Sequence, residues 1–161
     1  MELGWGSSLV QEPTSMLIVR EGFHLLDSTP ILVGAGQFTD RQTNPELAHS
    51  PMGIAAEAAK AALADTGIER ALAAEIDTLA VVRIFQDSYT RPRVTASNGR
   101  AENPPRAVAR RIGANPANAI YSNVGGNTPQ KLVNEMAQRI SGGDVSVALL
   151  TGSEAIRTAQ L

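Results

Sequence analysis

The chain has 161 residues, with 14 lysines and arginines against 16 aspartates and glutamates and no cysteine. This length fits one domain or a piece of a larger one, and a composition of 43% apolar and 19% charged residues excludes wholesale disorder. The net charge of −2 excludes a broad basic surface for nucleic acid, while the lack of cysteine excludes disulfides, thiolate metal sites and a cysteine nucleophile.

The first 27 residues differ from the rest because they show no hydrophobic periodicity. We expect residues 1–27 to be an extension without order or a mis-assigned start, with a short packed strand or helix as the alternative. Glu2 stands where a secretory signal carries basic residues, and no run approaches the ~20 apolar residues of a membrane span. We therefore expect a cytoplasmic protein whose folded domain covers residues 28–161.

From residue 28 onward, proline and glycine punctuation predicts alternating strands and helices. Four apolar runs predict strands, at Pro30–Gly34, Ile76–Val82, Asn118–Ser122 and Val145–Leu150. Caps and prolines predict three helices, from Ser50 to Gly67, over Ala107–Ile112 after Asn103, and over Gln130–Ile140. Between the second strand and the second helix, Phe85–Asn103 is predicted to be a long polar loop.

The predicted order is β-α-β-α-β-α-β, which is typical of an α/β fold. Such an order favours a parallel or mixed sheet with right-handed crossovers and helices on its faces. In these folds, ligand sites gather beyond the carboxyl ends of the strands. The residues that follow the predicted strands are therefore the candidates for a site.

The first candidate motif is Gly34-Ala35-Gly36, which follows the first predicted strand. A dinucleotide fingerprint requires a third glycine where Thr39 stands, and it requires a helix to begin at once. A nucleotide-dependent oxidoreductase that binds NAD(P) is the hypothesis that this motif supports. The interpretation that we favour is a turn and close packing, for which glycine lacks a side chain that would interfere.

The second candidate motif is Gly125-Gly126-Asn127, which joins a predicted strand to the start of a helix. Free N–H groups and the helix dipole favour an anion or an oxyanion at such a start, and a tight turn at a packed helix is the alternative. The nearby hydroxyls belong to Ser122 and Thr128, and neither histidine, His24 or His49, is close in sequence. With so few histidines and no cysteine, we expect no metal site.

Other charged residues in the loops are weaker candidates for a functional site. Glu154 follows the fourth predicted strand, and we expect its carboxylate to cap a neighbouring loop rather than to act in acid–base chemistry. Arg91, Arg93 and Arg100 could meet phosphate groups, but we expect them to lie on a solvated loop.

The stretch from Asn118 to Glu154 resembles the segment around the nucleophile in the thiolase superfamily. The family pattern is a strand, Asn-x-x-Cys-x-Ser-Gly, a helix that ends in Ala-x-x-Ile-x-x-Gly-(Asp/Glu), and an apolar strand before Gly-x-Glu. The matching segments are Asn123–Pro129, Ala137–Asp144 and Gly152–Glu154, with no gap between them. The Gly-Gly-Asn-x-Pro-Gln version is similar to a branch named acetyl-CoA acetyltransferase, close to the sterol-carrier-protein-type thiolases. A weaker similarity reaches back to residue 28.

The resemblance implies an incomplete thiolase-like N-terminal half that handles coenzyme A thioesters. The chemistry that it implies is acyl transfer by a Claisen-type condensation or its reverse, with the thioester as substrate and no tightly bound cofactor. The family's nucleophilic cysteine falls on Gly126, so we expect no catalytic residue in this chain and no activity from the chain alone. By the same resemblance, the expected substrate-binding residues are Asn123, Gly125, Gly126, Asn127 and Thr128.

Two hypotheses about function follow from this resemblance. The first is the N-terminal part of an acyl-CoA acyltransferase whose catalytic groups are supplied elsewhere, and the second is a non-catalytic subunit that binds acyl-CoA or a catalytic partner. The expected partners are acyl-CoA and the missing C-terminal half or a second subunit, in a homo- or hetero-oligomer. Because helix faces and a sheet edge would be left uncovered, we expect the isolated chain to be poorly soluble or oligomeric.

Overall fold

The protein is described by a computed structural model over residues 26–88 and 99–158, so the predicted extension 1–27 lies almost entirely outside the described residues. The helices and strands in chain order are α1 (Pro51–Asp65), α2 (Glu69–Glu75), β1 (Thr78–Val81), a 3-10 helix (Phe85–Ser88), α3 (Pro104–Ile112), β2 (Asn118–Tyr121), α4 (Thr128–Ser141) and β3 (Ala148–Thr151). Within these two ranges, no helix has the length and apolar character needed to cross a membrane.

Polar caps followed by proline begin α1 and α3, as the sequence predicts. Ser50 Oγ accepts a hydrogen bond of 3.2 Å from the Gly53 N–H, and Asn103 Oδ1 accepts one of 3.1 Å from the Arg106 N–H. The proline after each cap loses no helical hydrogen bond, because the first N–H groups of a helix have no partner within it. These caps set the bounds of the two helices on one side of the sheet.

The sheet has three parallel strands in the order β2-β1-β3. The register places Tyr121 of β2 and Thr151 of β3 level with Val81 of β1. The connection through α3 and the connection through α4 run in opposite directions across the sheet, so right-handed crossovers place these helices on opposite faces. Helix α1 packs against α3 and β3 on the first face, and α4 contacts β3 on the other. The α/β fold class is confirmed, with a parallel sheet.

The core lies between β1 and the helices on the first face. Each residue of β1 is completely buried, and Val108 of α3 is buried with them. The rest of this core is formed mostly by small side chains of α1 and α3, including Ala55, Ala56, Ala59, Ala107 and Ala109. Small side chains allow the helices to approach the sheet and each other closely.

The predicted strand at Pro30–Gly34 is wrong. This segment joins no strand in the described residues, and Leu32 is 88% exposed. A Cβ atom on Gly36 would lie 2.7 Å from the carbonyl carbon of Ala61 and 2.8 Å from the oxygen of Ala58. The glycines therefore hold the segment against the backbone of α1, where it has no neighbouring strand to bond with. This contact confirms close packing as the role of Gly34 and Gly36.

Two short elements were not predicted. Helix α2 has seven residues, and its N-cap, Ile68, makes no side-chain capping hydrogen bond, so the sequence lacks the usual start signal. The 3-10 helix occupies the beginning of the predicted loop Phe85–Asn103. The predicted loop residues Tyr89, Arg91 and Arg93 lie outside the described residues.

The amino edge of the sheet is held by side chains that bond to the backbone. Asp77 Oδ2 accepts a hydrogen bond of 2.7 Å from the Ser146 N–H ahead of β3, and Arg106 donates one of 2.5 Å from Nη1 to the Pro116 carbonyl ahead of β2. The first bond joins residues 69 positions apart, and the second joins α3 to the segment that follows it. They tie the chain together before the strands begin.

We predict that Gly36→Ala destabilises the fold. The added methyl group would meet the backbone of α1, which cannot move aside as a flexible side chain would, so the segment must shift. The expected loss is about 1–3 kcal/mol in the free energy of unfolding, measured by urea titration. Gly126→Ala is the matched control, because a Cβ there meets no atom within 4 Å. Equal stability of the two variants would contradict the proposed contact.

We also predict that the isolated chain self-associates through the exposed apolar segment at residues 31–33. Ile31 is 66% exposed, Leu32 88% and Val33 53%, and contiguous apolar surface of this kind favours association. Light scattering should give a molar mass above that of the monomer, and Leu32→Lys should reduce it. Val133→Lys, at a 51% exposed position of α4, is the control. A sharp monomeric peak with cooperative unfolding for the unsubstituted chain would refute the prediction.

Candidate functional site

The candidate site is the carboxyl edge of the sheet, where all three parallel strands end. Hydrogen bonds extend the pairing beyond the strands, from the Val82 N–H to the Thr151 carbonyl at 2.8 Å and from the Ser122 N–H to the Val81 carbonyl at 3.0 Å. The residues that follow each strand are thereby brought to one edge, which is where α/β folds place their ligand sites.

The turn between β2 and α4 contains all five predicted substrate-binding residues, Asn123, Gly125, Gly126, Asn127 and Thr128. It is closed by a hydrogen bond of 3.0 Å from the Thr128 N–H to the Gly125 carbonyl, and Thr128 Oγ1 donates to the Asn123 carbonyl at 3.3 Å. Thr128 is buried, whereas the other four are exposed. The turn is a compact structure with an accessible backbone surface.

Gly126 occupies an open position in this turn. A Cβ built on it would meet no atom within 4 Å, and its φ lies outside the left-handed region. Gly125 differs, because a Cβ there would lie 3.1 Å from both Asn127 Oδ1 and Thr128 Oγ1. A side chain could therefore extend from position 126, but not from position 125, without disturbing the turn.

The hydroxyl groups near Gly126 are engaged in hydrogen bonds. Ser122 Oγ donates to the Asn123 carbonyl at 3.0 Å and accepts from the Arg83 N–H at 2.9 Å. Asn127, the N-cap of α4, makes no capping hydrogen bond with its side chain. The start of α4 is thus left without a side-chain acceptor from its cap.

A second cluster of side chains lies next to this turn, around a cavity of about 500 Å³. The Tyr121 hydroxyl donates to Asp87 Oδ2 at 2.7 Å and accepts from the Ile84 N–H at 3.2 Å. Asp87 Oδ1 lies 3.0 Å from Arg100 Nη2, and the Arg83 guanidinium carbon lies 4.6 Å from the centre of the Tyr121 ring. The cavity is therefore lined by a connected polar network.

The environment of Tyr121 raises its pKa to about 12. Burial is the main cause because it disfavours the phenolate, and the hydrogen bond to the Asp87 carboxylate adds to it by holding the proton on the ring oxygen. Tyr121 therefore remains a neutral hydrogen-bond donor to Asp87 at neutral pH.

Glu154 is a structural anchor, as the sequence predicts. Its Oε1 accepts a hydrogen bond of 2.7 Å from the Phe85 N–H, which ties the end of β3 to the 3-10 helix after β1. Sequence reasoning missed Arg83, Asp87 and Tyr121 as site residues. The available signal was their position, since Arg83 and Asp87 follow β1 and Tyr121 ends β2 at the edge where sites gather.

A separate titratable pair lies ahead of α1. His49 Nδ1 is 2.9 Å from Asp40 Oδ2, and the same carboxylate accepts hydrogen bonds from the backbone N–H groups of His49 and Gln42. The backbone bonds, first that from His49 and then that from Gln42, lower the pKa of Asp40 to about 2. The pair holds the ends of the loop before α1 together.

Comparison with known proteins finds similarity to a solved structure. No family model matches the chain, and a search of curated proteins finds no match either. Among solved structures, the chain is similar to a monomeric SCP2-thiolase-like protein type 1 from Mycobacterium smegmatis, with 39% sequence identity and a TM-score of 0.62. The similarity covers 80% of this chain and 24% of that protein, so the chain spans about a quarter of the relative's length.

We predict that Asp87→Asn lowers the pKa of Tyr121 from about 12 toward its ordinary value of 10.0, because the negative charge that holds the phenol proton is lost. Burial remains, so the pKa should stay above the ordinary value. The measurement is the absorbance of the phenolate during alkaline titration, in a Tyr89→Phe background so that one tyrosine reports. Glu102→Gln removes an acid from the same cavity lining and is the control. Equal shifts in both variants would contradict the direct hydrogen bond.

Proposed function

We propose that this chain, which belongs to the thiolase-like superfamily, forms the thioester-binding N-terminal part of an acyl-CoA acyltransferase. Coenzyme A thioester is the substrate, and the groups that carry out acyl transfer come from outside the chain. The observation that carries the proposal is the turn at Gly126, where an exposed backbone at the start of a helix faces open space.

The turn suits the carbonyl end of a thioester for two reasons. At the start of α4 the Thr128 N–H is donated to the Gly125 carbonyl and Pro129 has no N–H, so the positive end of the helix dipole is the feature there that stabilises negative charge on a carbonyl oxygen. The space beyond Gly126 is free of protein atoms within 4 Å of a Cβ position, so a thioester carbonyl could approach the backbone closely. The resemblance places the nucleophile of related enzymes at this same position.

The residues around the turn favour binding over covalent catalysis. Position 126 has no side chain, and the hydroxyls of Ser122 and Thr128 both donate to the Asn123 carbonyl. In the described part of the chain, no histidine contacts either hydroxyl to act as a base. This supports, as the second candidate function, a non-catalytic subunit that binds acyl-CoA or a catalytic partner. Acyl transfer by the unsubstituted chain alone would exclude that candidate.

We predict that Gly126→Cys makes the chain react with acyl-CoA. The cysteine thiolate would attack the thioester carbonyl, the carbon–sulfur bond to coenzyme A would break, and coenzyme A would leave as a thiolate that takes up a proton. The protein would gain the mass of the acyl group, as measured by intact-protein mass spectrometry with acetyl-CoA. The unsubstituted chain has no cysteine and should remain unmodified.

The matched control is Ser141→Cys, which places an exposed thiol at the other end of α4. If the turn binds the thioester, the cysteine at position 126 should be acylated faster by about tenfold or more, because a bound thioester is held close to the thiol. Equal rates for the two variants would show that the turn does not bind the thioester, and would overturn the proposal.

A further inference from the structure

We propose that the cavity beside Tyr121 is a second binding site, which takes a small oxyanion, a carboxylate or a phosphate group, through Arg83. The site is separate from the turn at Gly126, and the proposal does not require that the chain bind a thioester. Three features support this site: the fixed orientation of the Arg83 side chain, the charged groups around Arg83, and the cavity that Arg83 lines.

The Arg83 side chain is held in one orientation by two contacts. Its Nε donates a hydrogen bond of 2.9 Å to the Ser122 carbonyl, and its guanidinium group stacks over the Tyr121 ring at 4.6 Å. Nε is only one of the three guanidinium nitrogens, and the two terminal nitrogens make no hydrogen bond to any residue that the structure describes. Two parallel N–H donors in one plane match the geometry of a carboxylate or phosphate group.

The positive charge of Arg83 is not neutralised within the described residues. Asp87 lines the same cavity, but its oxygens are occupied by the Tyr121 hydroxyl at 2.7 Å and by Arg100 at 3.0 Å. Glu102, the other acid in the lining, is exposed, and no carboxylate in the described ranges lies within 4.0 Å of Arg83. Because the guanidinium is partly buried, water and salt screen its charge less than they would at the surface.

The cavity has the size and lining for a small ligand group. Its volume is about 500 Å³, and Ala101 and Pro104 form its apolar wall. Small-molecule sites commonly combine an apolar wall with a few oriented polar groups. The Tyr121 hydroxyl donates its hydrogen bond to Asp87, and the Tyr121 ring stacks against the Arg83 guanidinium. Tyr121 is therefore a positioning residue for this site.

The alternative is that Arg83 only joins the ends of β1 and β2 through Ser122. The two roles predict different results. If Arg83 only links the strand ends, its substitution changes the free energy of unfolding, and the chain has no affinity for anions that depends on Arg83. The test is isothermal titration of the 161-residue chain with inorganic phosphate and with succinate at constant ionic strength. The two titrations show whether the site prefers a phosphate or a carboxylate group, and binding of at least one is expected.

Arg83→Met should reduce the affinity by about tenfold or more, since it removes both donors and the charge. Arg110→Met removes the same charge from an exposed position on α3 and should retain the affinity of the unsubstituted chain. Arg83→Lys keeps the charge without the paired donors, so it should bind with intermediate affinity. Equal loss in the Met variants at positions 83 and 110 would overturn the proposal, as would a lack of binding by the unsubstituted chain.

A measurement without any variant covers the case in which the position 83 variants do not fold. The side-chain Nε–H resonance of Arg83, observed by nuclear magnetic resonance, should shift on addition of the bound anion, while that of Arg110 should not. No shift at Arg83 would overturn the proposal. Acylation of a cysteine at position 126 involves neither anion, so failure of this proposal is distinguishable from failure of thioester binding.

Discussion

Strand β1 is buried on both of its faces, and its position determines where the side chains at the carboxyl edge lie. All four residues from Thr78 to Val81 are fully buried, and the strand pairs with a parallel neighbour on each side. A strand buried on both faces has little freedom to slip, because a shift of one residue would exchange the side chains packed on its two faces and create cavities and clashes in a close-packed core. The end of β1 therefore sets the level at which the Arg83 N–H bonds to Ser122 and the Phe85 N–H bonds to Glu154.

The second constraint is the small-residue surface of α1. Thr151 Oγ1 donates a hydrogen bond of 3.0 Å to the Ala55 carbonyl, and Ser153 bonds to the Pro51 carbonyl. Further along the helix, Gly34 and Gly36 lie against its backbone. A larger side chain on either partner would separate them. One helix thus fixes both the end of β3 and the segment before the first loop.

Much of the fold could be predicted from the sequence because its signals are local. Ser50 and Asn103 cap helices through their own side chains, and the three apolar runs that became strands lie within two or three residues of their predicted bounds. Pro30–Gly34 has the same local signal as a strand, but strand formation also needs a partner that no local pattern reveals. The segment therefore lies against α1 through Gly34 and Gly36, and its apolar side chains stay exposed.

The sequence predicts one part of the candidate site, the turn before α4, but not the other part, the cavity around Arg83. The turn from Asn123 to Thr128 is contiguous in sequence, so its glycines and its helix start could be read directly. Asp87 and Tyr121 are far apart in sequence, and their hydrogen bond exists only because β1 and β2 pair in one register. Sequence periodicity predicts strands but not their register, so the cavity around Arg83 could not be predicted.

The two edges of the sheet have different roles, since the amino edge stabilises the fold and the carboxyl edge presents groups to other molecules. At the amino edge, Asp77 Oδ2 and the Arg106 guanidinium bond to the backbone of other segments, so that end resists change. At the carboxyl edge, Gly126 and the terminal nitrogens of Arg83 remain available to other molecules. Evolution or laboratory selection could therefore alter what this protein recognises by substituting one edge while the opposite edge preserves the fold.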